Sequence, residues 1–474
     1  MRIFEIALLV TIAVTGFCVI FRGRPALTKN VFWVLAAVGI LTLIIHFLTE
    51  GYRWQMLPLY ALLGILLLVG ALVSWEAADL KVPQTIIFSM GIALLTLIFT
   101  LPPILFPVNR LPTPTGEYTV GTLSEAWVDT SRTELYGTDD RAPREFVTQT
   151  WYPAAEISSE ETVDYLPQSR ITGRTLATRL GLPAFILDHL TLLNTYSFDQ
   201  ATPEAGPFPV LIFSHGYNSF RGQSTTLMED LASHGYVVVS MEHTYGSALT
   251  VFPDGRIIFH NEDTLEGSGE ELRRTGLTLG NQWTEDILYV LEQIEERSND
   301  SNHPFAAADL DSLGVFGHST GGGVTFDVCA REPRCKAAVG LDAWFGPTPD
   351  AVIETGSRLP SFFLMSEFWP KTDNTNNIRA FINNSDSAAW ATVKQTGHYD
   401  FADIPFLSPL TTRIGLSGGI DPYRGQEINR AFVRGFFDQH LKGIPADYLT
   451  RSNPQFPEIT FGVPDDVSQN DLDS

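Results

Sequence analysis

Between Ile3 and Leu105 the chain carries four uninterrupted apolar runs, and few folds can accept them. Ile3–Phe21, Val31–Leu48, Leu57–Trp75 and Thr85–Leu105 each come close to the roughly 20 residues that a bilayer core requires. Backbone groups in hydrocarbon can bond only within their own segment, so such runs must be helical. Helices at the surface of a soluble core would show a polar stripe, and these have almost none. The charges sit in the connections: Arg22, Arg24 and Lys29, then Glu50 and Arg53, then Glu76, Asp79 and Lys81. Trp54 and Trp75 fall at run ends, where interfacial aromatics belong. A cleaved signal peptide does not fit the first run, because Glu5 interrupts its start and no small-x-small site precedes Arg22. Residues 1–108 therefore read as an all-α domain of four membrane helices in an integral, multi-pass protein.

An even number of spans puts both ends of the chain on one side. The first and third connections hold Arg22, Arg24, Lys29 and Lys81, against Arg2, Arg53 and Arg110 on the other side. The positive-inside rule then sets the remainder of the chain on the extracytoplasmic side. His46, near a span end, reads as interfacial, and no charge within the spans suggests an ion or proton path. The net charge of −23, with no basic cluster, argues against nucleic acid as a partner. Three cysteines are too few for a disulfide framework. Cys329 and Cys335 are close enough for a local bridge, but two free thiols are the expectation. Neither the cysteines nor the scattered histidines show metal-ligand spacing.

Leu101–Thr115 holds Pro102, Pro103, Pro107, Pro112 and Pro114 and reads as an extended exit segment, with 109–115 as the linker proper. Beyond it, short apolar runs alternate with helical patterns. Glu117–Thr122 and Glu145–Tyr152 look like opening strands; Pro209–Ser214, Tyr236–Ser240, Leu313–Phe316, Ala337–Leu341 and Ser361–Met365 follow as buried strands. Thr225–His234 and Trp283–Glu296 are amphipathic helices between them. The pattern predicts a mainly parallel sheet with helices on both faces, over residues 116–462, and an acidic disordered tail over 463–474. Such sheets carry their functional residues at the carboxyl ends of strands.

Leu313–Val324 holds Gly317-His318-Ser319-Thr320-Gly321. An apolar run before it and a helix-compatible stretch after it are the setting of a G-x-S-x-G nucleophile elbow. Gly415–Gly419 matches the same pattern but lacks a preceding strand and runs into Asp421-Pro422, so it reads as a loop. Asp342 ends the next strand and His398 lies in a later glycine-bearing loop. Ser…Asp…His is the chain order of an α/β-hydrolase. Asp373, after the Ser361 strand, is the rival acid. Asp342 could instead cap a helix, although Ala343-Trp344-Phe345-Gly346-Pro347 looks unlike a helix start. His215-Gly216-Tyr217-Asn218 ends the Pro209 strand, where these folds place the second oxyanion donor. His318 reads as packing at the elbow, His215 as shaping its loop, and Cys329 as core.

Five stretches together resemble the type II platelet-activating-factor acetylhydrolases: FSHGYNSFR (Phe213–Arg221), ASHGYVVVSMEH (Ala232–His243), FGHSTGGG (Phe316–Gly323), GLDAWFGP (Gly340–Pro347), and FFLMSEFW with TGHYDFAD (Phe362–Trp369 and Thr396–Asp403). The resemblance covers roughly Glu117 to Leu441. It implies an α/β-hydrolase fold with Ser319 as nucleophile, Asp342 as acid and His398 as base. The backbone N–H groups of Tyr217 and Thr320 would be the oxyanion donors. Tyr217 and Thr320 replace apolar residues usual in that family, and the animal enzymes lack the four membrane spans. FSHGYN and GHSTGGG also resemble bacterial cutinase-like polyester hydrolases, whose acid follows the next strand, which keeps Asp373 in play.

The expectation is a membrane-anchored serine esterase that needs no metal or organic cofactor. Its substrate would be a lipid or small ester, with the sn-2 short or oxidised acyl chain of phospholipids implied by the resemblance. The alternatives are a cutinase-like esterase using Asp373 or a non-catalytic binding module. The apolar stretch Leu176–Leu193 reads as a cap or acyl-pocket wall, or equally as a packed surface helix.

Overall fold

The computed structural model describes residues 1–22, 27–73, 75, 81–139, 141–157, 159–179, 181–368 and 372–464. Arg24, Glu76 and Asp79 of the membrane connections, and the acidic tail beyond Pro464, lie outside the described residues. Four helices are long and apolar enough to cross a membrane: α1 (Ile3–Ile20), α2 (Lys29–Thr49), α3 (Leu57–Leu72, entered through a 3-10 turn at Trp54–Met56) and α4 (Val82–Leu105). Half of the apolar window of α1 is buried against its neighbours but only 6% of that of α4, so α4 presents Ile86, Leu94 and Leu97 outward. Water would not tolerate that much bare apolar surface; lipid would.

The α4 helix runs through Pro102 and Pro103 and ends at Leu105, so the extended segment starts later than the proline count suggests. Both prolines sit in the last turn, where each leaves the carbonyl four residues before it without its helical N–H partner. The following strand of chain is strapped to the domain beyond. Asn109 Nδ2 donates to the Phe406 carbonyl at 2.7 Å, and Arg430 holds the carbonyls of Thr113 and Pro112 at 2.8 and 2.9 Å.

One ion pair closes the bundle. Arg53, fully enclosed, forks onto Glu5 at 2.7 and 2.6 Å and donates to the Phe106 carbonyl at 2.7 Å. It thereby ties the start of α1, the second connection and the exit of α4. His46 is buried within the bundle near the end of α2. Its ring bridges Glu50 at 2.9 Å and the Tyr60 hydroxyl at 2.6 Å. Glu5, His46 and Glu50 bring one ligand atom each within 4.8 Å of one another, but the Arg53 and Arg2 guanidinium groups already supply the positive charge there.

The remaining chain forms an 11-stranded sheet. Its main strands are β1 (Thr119–Thr133), β2 (Pro143–Glu156), β3 (Phe208–Ser214), β4 (Val237–Glu242), β5 (Ala308–His318), β6 (Cys335–Leu341), β7 (Ser361–Ser366) and β8 (Ala388–Val393). In space they run β8-β7-β6-β5-β3-β4-β2-β1, with short strands Ile459–Phe461 and Ser197–Asp199 at the two edges. From β4 to β8 the neighbours are parallel, and β2 is antiparallel to both β1 and β4. Alternation explains the two cores. Leu211 and Phe213 of β3 face the helices α6 (Thr225–Ser233) and α10 (Pro422–Leu441), whereas Val210 and Ile212 face α7 (Glu270–Arg297) and α8 (Thr320–Arg331). A sheet covered on both faces needs apolar residues on both, which is why PVLIFS reads as a continuous run.

Among the described residues, shorter helices include α5 (Ser169–Arg179), followed by a 3-10 segment at Ala184–Leu192, α9 (Thr372–Asn384), and a helix of six residues at Asp350–Thr355. The cap stretch thus packs: Leu187, Leu190 and Leu193 are buried with Leu111, Phe220 and Phe406. Cys329 and Cys335 are joined in a disulfide, Cα–Cα 5.3 Å, against the expectation of free thiols. The chain turns back on itself between α8 and β6, which brings the pair within bridging reach.

Removing one partner of the Arg53–Glu5 pair leaves the other charge buried, which typically costs about 3–5 kcal/mol. Arg53→Met should therefore lower the thermal midpoint of the detergent-solubilised protein markedly. The double change Glu5→Leu with Arg53→Met should recover most of the loss; equal destabilisation by single and double variants would contradict the assignment.

Candidate active site

Ser319 sits between β5 and α8 at φ 54°, ψ −116°. Non-glycine residues avoid that conformation, and a tight strand-to-helix turn imposes it. The neighbouring glycines are required by contact: a Cβ on Gly317 would lie 2.3 Å from the Gly321 carbonyl oxygen, and one on Gly321 would lie 2.1 Å from that of Ser214. Backbone bonds lock the elbow to both flanking strands. Ser319 N–H donates to the Leu341 carbonyl at 3.0 Å, Gly321 N–H to that of His215 at 3.2 Å, and Trp344 N–H to that of Ser319 at 2.8 Å.

Asp342 follows β6, one residue beyond that Leu341 carbonyl. Its carboxylate is fully buried and accepts from Ser366 N–H at 2.8 Å, Ser366 Oγ at 2.9 Å and His398 Nδ1 at 2.6 Å. It caps no helix. Asp373 lies exposed in the first turn of α9, and its carboxylate bonds to no other described residue. The carboxylate paired with His398 is Asp342. With Nδ1 holding the proton toward Asp342, Nε2 of His398 is the ring atom able to take a proton from a hydroxyl.

The loop that carries His398 is built by groups that motif reading passed over. Asp400 Oδ2 accepts from both Gly397 N–H and Gly418 N–H at 2.6 Å. The Gly415–Gly419 stretch is indeed a loop, and its structural work is to close under His398. Burial pushes the Asp400 carboxyl upward, against those two hydrogen bonds. His318 is more than packing. Burial and the nearby His398 ring hold its pKa well below the ordinary value, so it is neutral, and its Nε2–H donates to the His398 carbonyl at 2.8 Å. The two rings lie 4.5 Å apart.

The loop after β3 lies directly against the elbow: a Cβ on Gly216 would fall 3.3 Å from the Ser319 Cβ. Among the described residues, the Tyr217 and Thr320 N–H groups donate to no protein acceptor. Two unspent backbone donors next to one hydroxyl are what an oxyanion hole consists of. His215 supports that loop without titrating. Burial and His243 push it down to about 3, and Nδ1–H donates to the Gly216 carbonyl at 2.7 Å. Behind it, His243 bridges Ser214 Oγ at 3.0 Å and Asp286 at 2.9 Å and stacks on Trp283. This second Ser–His–Asp chain is wholly buried, beyond the reach of any substrate, and Arg144 forks onto the same Asp286 at 3.0 and 2.7 Å.

The model of the platelet-activating factor acetylhydrolase, isoform II, family matches residues 104–453. The chain belongs to that family. It is 25% identical over 376 residues to a platelet-activating factor acetylhydrolase from Canis lupus familiaris, covering 72% of this chain and 79% of that one. To the Gallus gallus enzyme of the same name it is 26% identical, over 56% and 68% of the two chains. Cutinase est1 of Thermobifida alba is 23% identical over 47% and 71%. A ferulic acid esterase structure from Streptomyces cinnamoneus superposes with a TM-score of 0.64 at 26% identity, covering 75% of this chain and 99% of that one. As a member of the family, the protein is a serine ester hydrolase of the α/β-hydrolase fold. The matched region begins at the end of α4, so the four apolar helices lie outside it apart from the last residues of α4.

The site loop also carries a titratable strut. Asp403 accepts from the Thr226 hydroxyl and from Thr226 N–H at 3.2 Å. Burial pushes its carboxyl up to about 7, against those bonds and the Arg430 charge. The unfolded value is about 4, so between about pH 4 and 7 the folded state keeps a proton that the unfolded state has lost. Stability linked to Asp403 is full below pH 4 and falls as pH climbs to 7. Asp403→Asn removes that term, so the melting midpoint of the variant minus that of the wild type should become more positive from about pH 5 to pH 8. A difference independent of pH would contradict the assignment.

Proposed function

We propose that Ser319 attacks an ester carbonyl while His398 takes its proton, and that Asp342 holds the imidazole in the required tautomer. The Tyr217 and Thr320 N–H groups receive the oxyanion, each donor typically worth roughly 3 kcal/mol in the transition state. His398 passes that proton to the departing alcohol as its C–O bond breaks, leaving the acyl group on Ser319; His398 then takes a proton from the attacking water and returns it to the Ser319 oxygen as the acid is released. The observation that carries this reading is the 2.6 Å bond from Asp342 to His398 Nδ1 beside a serine held at positive φ. Ser319→Ala and Asp342→Asn should each abolish most turnover, the latter lowering kcat by roughly 10⁴-fold, whereas Asp373→Asn should leave it unchanged. The reverse order for the two aspartates would move the acid to Asp373.

The substrate we propose is a phospholipid bearing a short or oxidised sn-2 acyl chain, presented by the bilayer in which the four helices are embedded. The named acetylhydrolase relatives support the choice, as do the outward apolar residues of α4. The helical unit would span 1–108 and the hydrolase unit 116–462. The Cys329–Cys335 bridge favours an extracytoplasmic, oxidising location for the hydrolase. Thiol reagents should label these two cysteines in intact cells only after reduction. The cutinase relative favours a second reading, a broader esterase indifferent to phosphocholine.

Phosphatidylcholines with sn-2 acetyl and sn-2 oleoyl chains separate the two. Cleavage of the acetyl lipid alone, lost in Ser319→Ala, is the expected result. Cleavage of neither, with serine-dependent turnover of a p-nitrophenyl ester, would overturn the phospholipid reading in favour of the broader esterase.

A further inference from the structure

A cavity of about 680 Å³ lies where the second membrane connection meets the cap segment. Tyr52, Trp54 and Leu57 form one wall, and Arg170, Phe185 and Asp188 the other. The volume suits a small organic ligand, and no residue of the Ser319 site takes part. The two walls are held together: Trp54 Nε1–H donates to the Ile186 carbonyl at 3.2 Å, and the Trp54 and Phe185 rings meet edge to face at 5.1 Å. We infer that this cavity binds the zwitterionic headgroup of a bilayer glycerophospholipid, as a site separate from the catalytic one. The inference rests on the proposed membrane embedding of the four helices and deepens that reading.

The chemistry of the walls selects the ligand. Trp54, Phe185 and Tyr52 offer aromatic faces, the surface that attracts an alkylated ammonium, while the Asp188 carboxylate beside them is forked by Arg174 at 2.8 and 2.7 Å. Arg170 stands next to it, its side chain 68% exposed and only 3.8 Å from Asp188 at closest approach, with no hydrogen bond to any described residue. It is placed to meet a phosphate, whose oxygens a guanidinium binds in pairs. Arg53 also borders the cavity but is committed to Glu5 and the Phe106 carbonyl. His189 in the same wall is pushed down to about 4 by burial and the Arg53 charge, so it adds no charge at neutral pH.

Position selects the source. Leu57, half-exposed, opens the first turn of α3, so a ligand seated against it has its next atoms at the level of the acyl chains. A free phosphate ester would leave that apolar edge uncovered. The opposite face of the Ala184–Leu192 segment is buried against Phe220, two residues from Asn218 in the oxyanion loop, and against Phe406 beyond His398.

The test uses full-length protein, delipidated in detergent and carrying Ser319→Ala so that no probe is consumed. Native mass spectrometry reads retention of dioleoylphosphatidylcholine, with dioleoylglycerol as the lipid lacking the headgroup. One phosphatidylcholine should be retained in preference to dioleoylglycerol. Adding Arg170→Glu and Phe185→Ser should weaken that retention by about tenfold or more, as loss of one charge-assisted hydrogen bond and one cation–π contact implies. The same two changes in the otherwise wild-type protein should leave hydrolysis of a soluble p-nitrophenyl ester unchanged, which establishes that the fold is intact. Equal retention of the two lipids, or equal retention by both proteins, would overturn the site. Soluble phosphocholine binding as tightly as the lipid would overturn the bilayer source. Because binding is read without catalysis, the site can fail while the esterase reading stands, and the reverse.

Discussion

Three strand ends meet at Ser319, and the hydrogen bonds between them are all backbone. Ser319 N–H reaches the Leu341 carbonyl, Gly321 N–H that of His215, and Trp344 N–H that of Ser319. Each bond joins a loop to which a different chemical role is proposed: nucleophile, acid, and oxyanion donor. Side-chain substitutions cannot remove these bonds, and their lengths demand glycine where the backbones touch. The positions of Asp342 and the Tyr217 N–H are thus consequences of how the sheet twists and closes. Local side-chain preference has little say in them.

Below this junction the protein keeps an unusual amount of charge out of water. Arg144, Asp286, Glu134 and His243 form one connected, buried set. Burial alone would push Asp286 up; the Arg144 fork and the His243 bond outweigh it and hold the carboxyl well below the usual range. Such networks add little net stability compared with an apolar core of the same volume. Their geometric demand is strict, however, because each member needs every partner. Through Ser214 and the stacked Trp283, that demand fixes the strand end from which the oxyanion loop departs.

Much of this was readable from the sequence, because the fold is encoded in continuous apolar strands and one sterically constrained turn. PVLIFS, YVVVS and LGVFGHSTG each name their element without ambiguity. What stayed hidden depends on distant partners. Ala388–Val393 forms a strand although AAWATV has one large apolar anchor, Trp390, and gains its place by pairing with β7. Asp400 and Gly418 are eighteen positions apart, and neither carries a signal of their bond. Arg53 and Glu5 looked like ordinary connection charges, since a pair separated by 48 positions leaves no local pattern. The Cys329–Cys335 bridge was within reach of spacing alone, and only the reversal of chain direction between α8 and β6 decided for it.

The strap from Phe106 to Thr115 makes the two halves of the molecule a seam. Asn109 holds the Phe406 carbonyl and Ser408 holds the Leu105 carbonyl, both within ten or so positions of His398. A saw cut between helices and hydrolase would therefore fall across the underside of the loop that carries His398. A soluble fragment that starts at Phe106 takes the Leu105 carbonyl from the Ser408 hydroxyl, so its sluggishness or insolubility would speak of a torn edge and say nothing about the chemistry of Ser319.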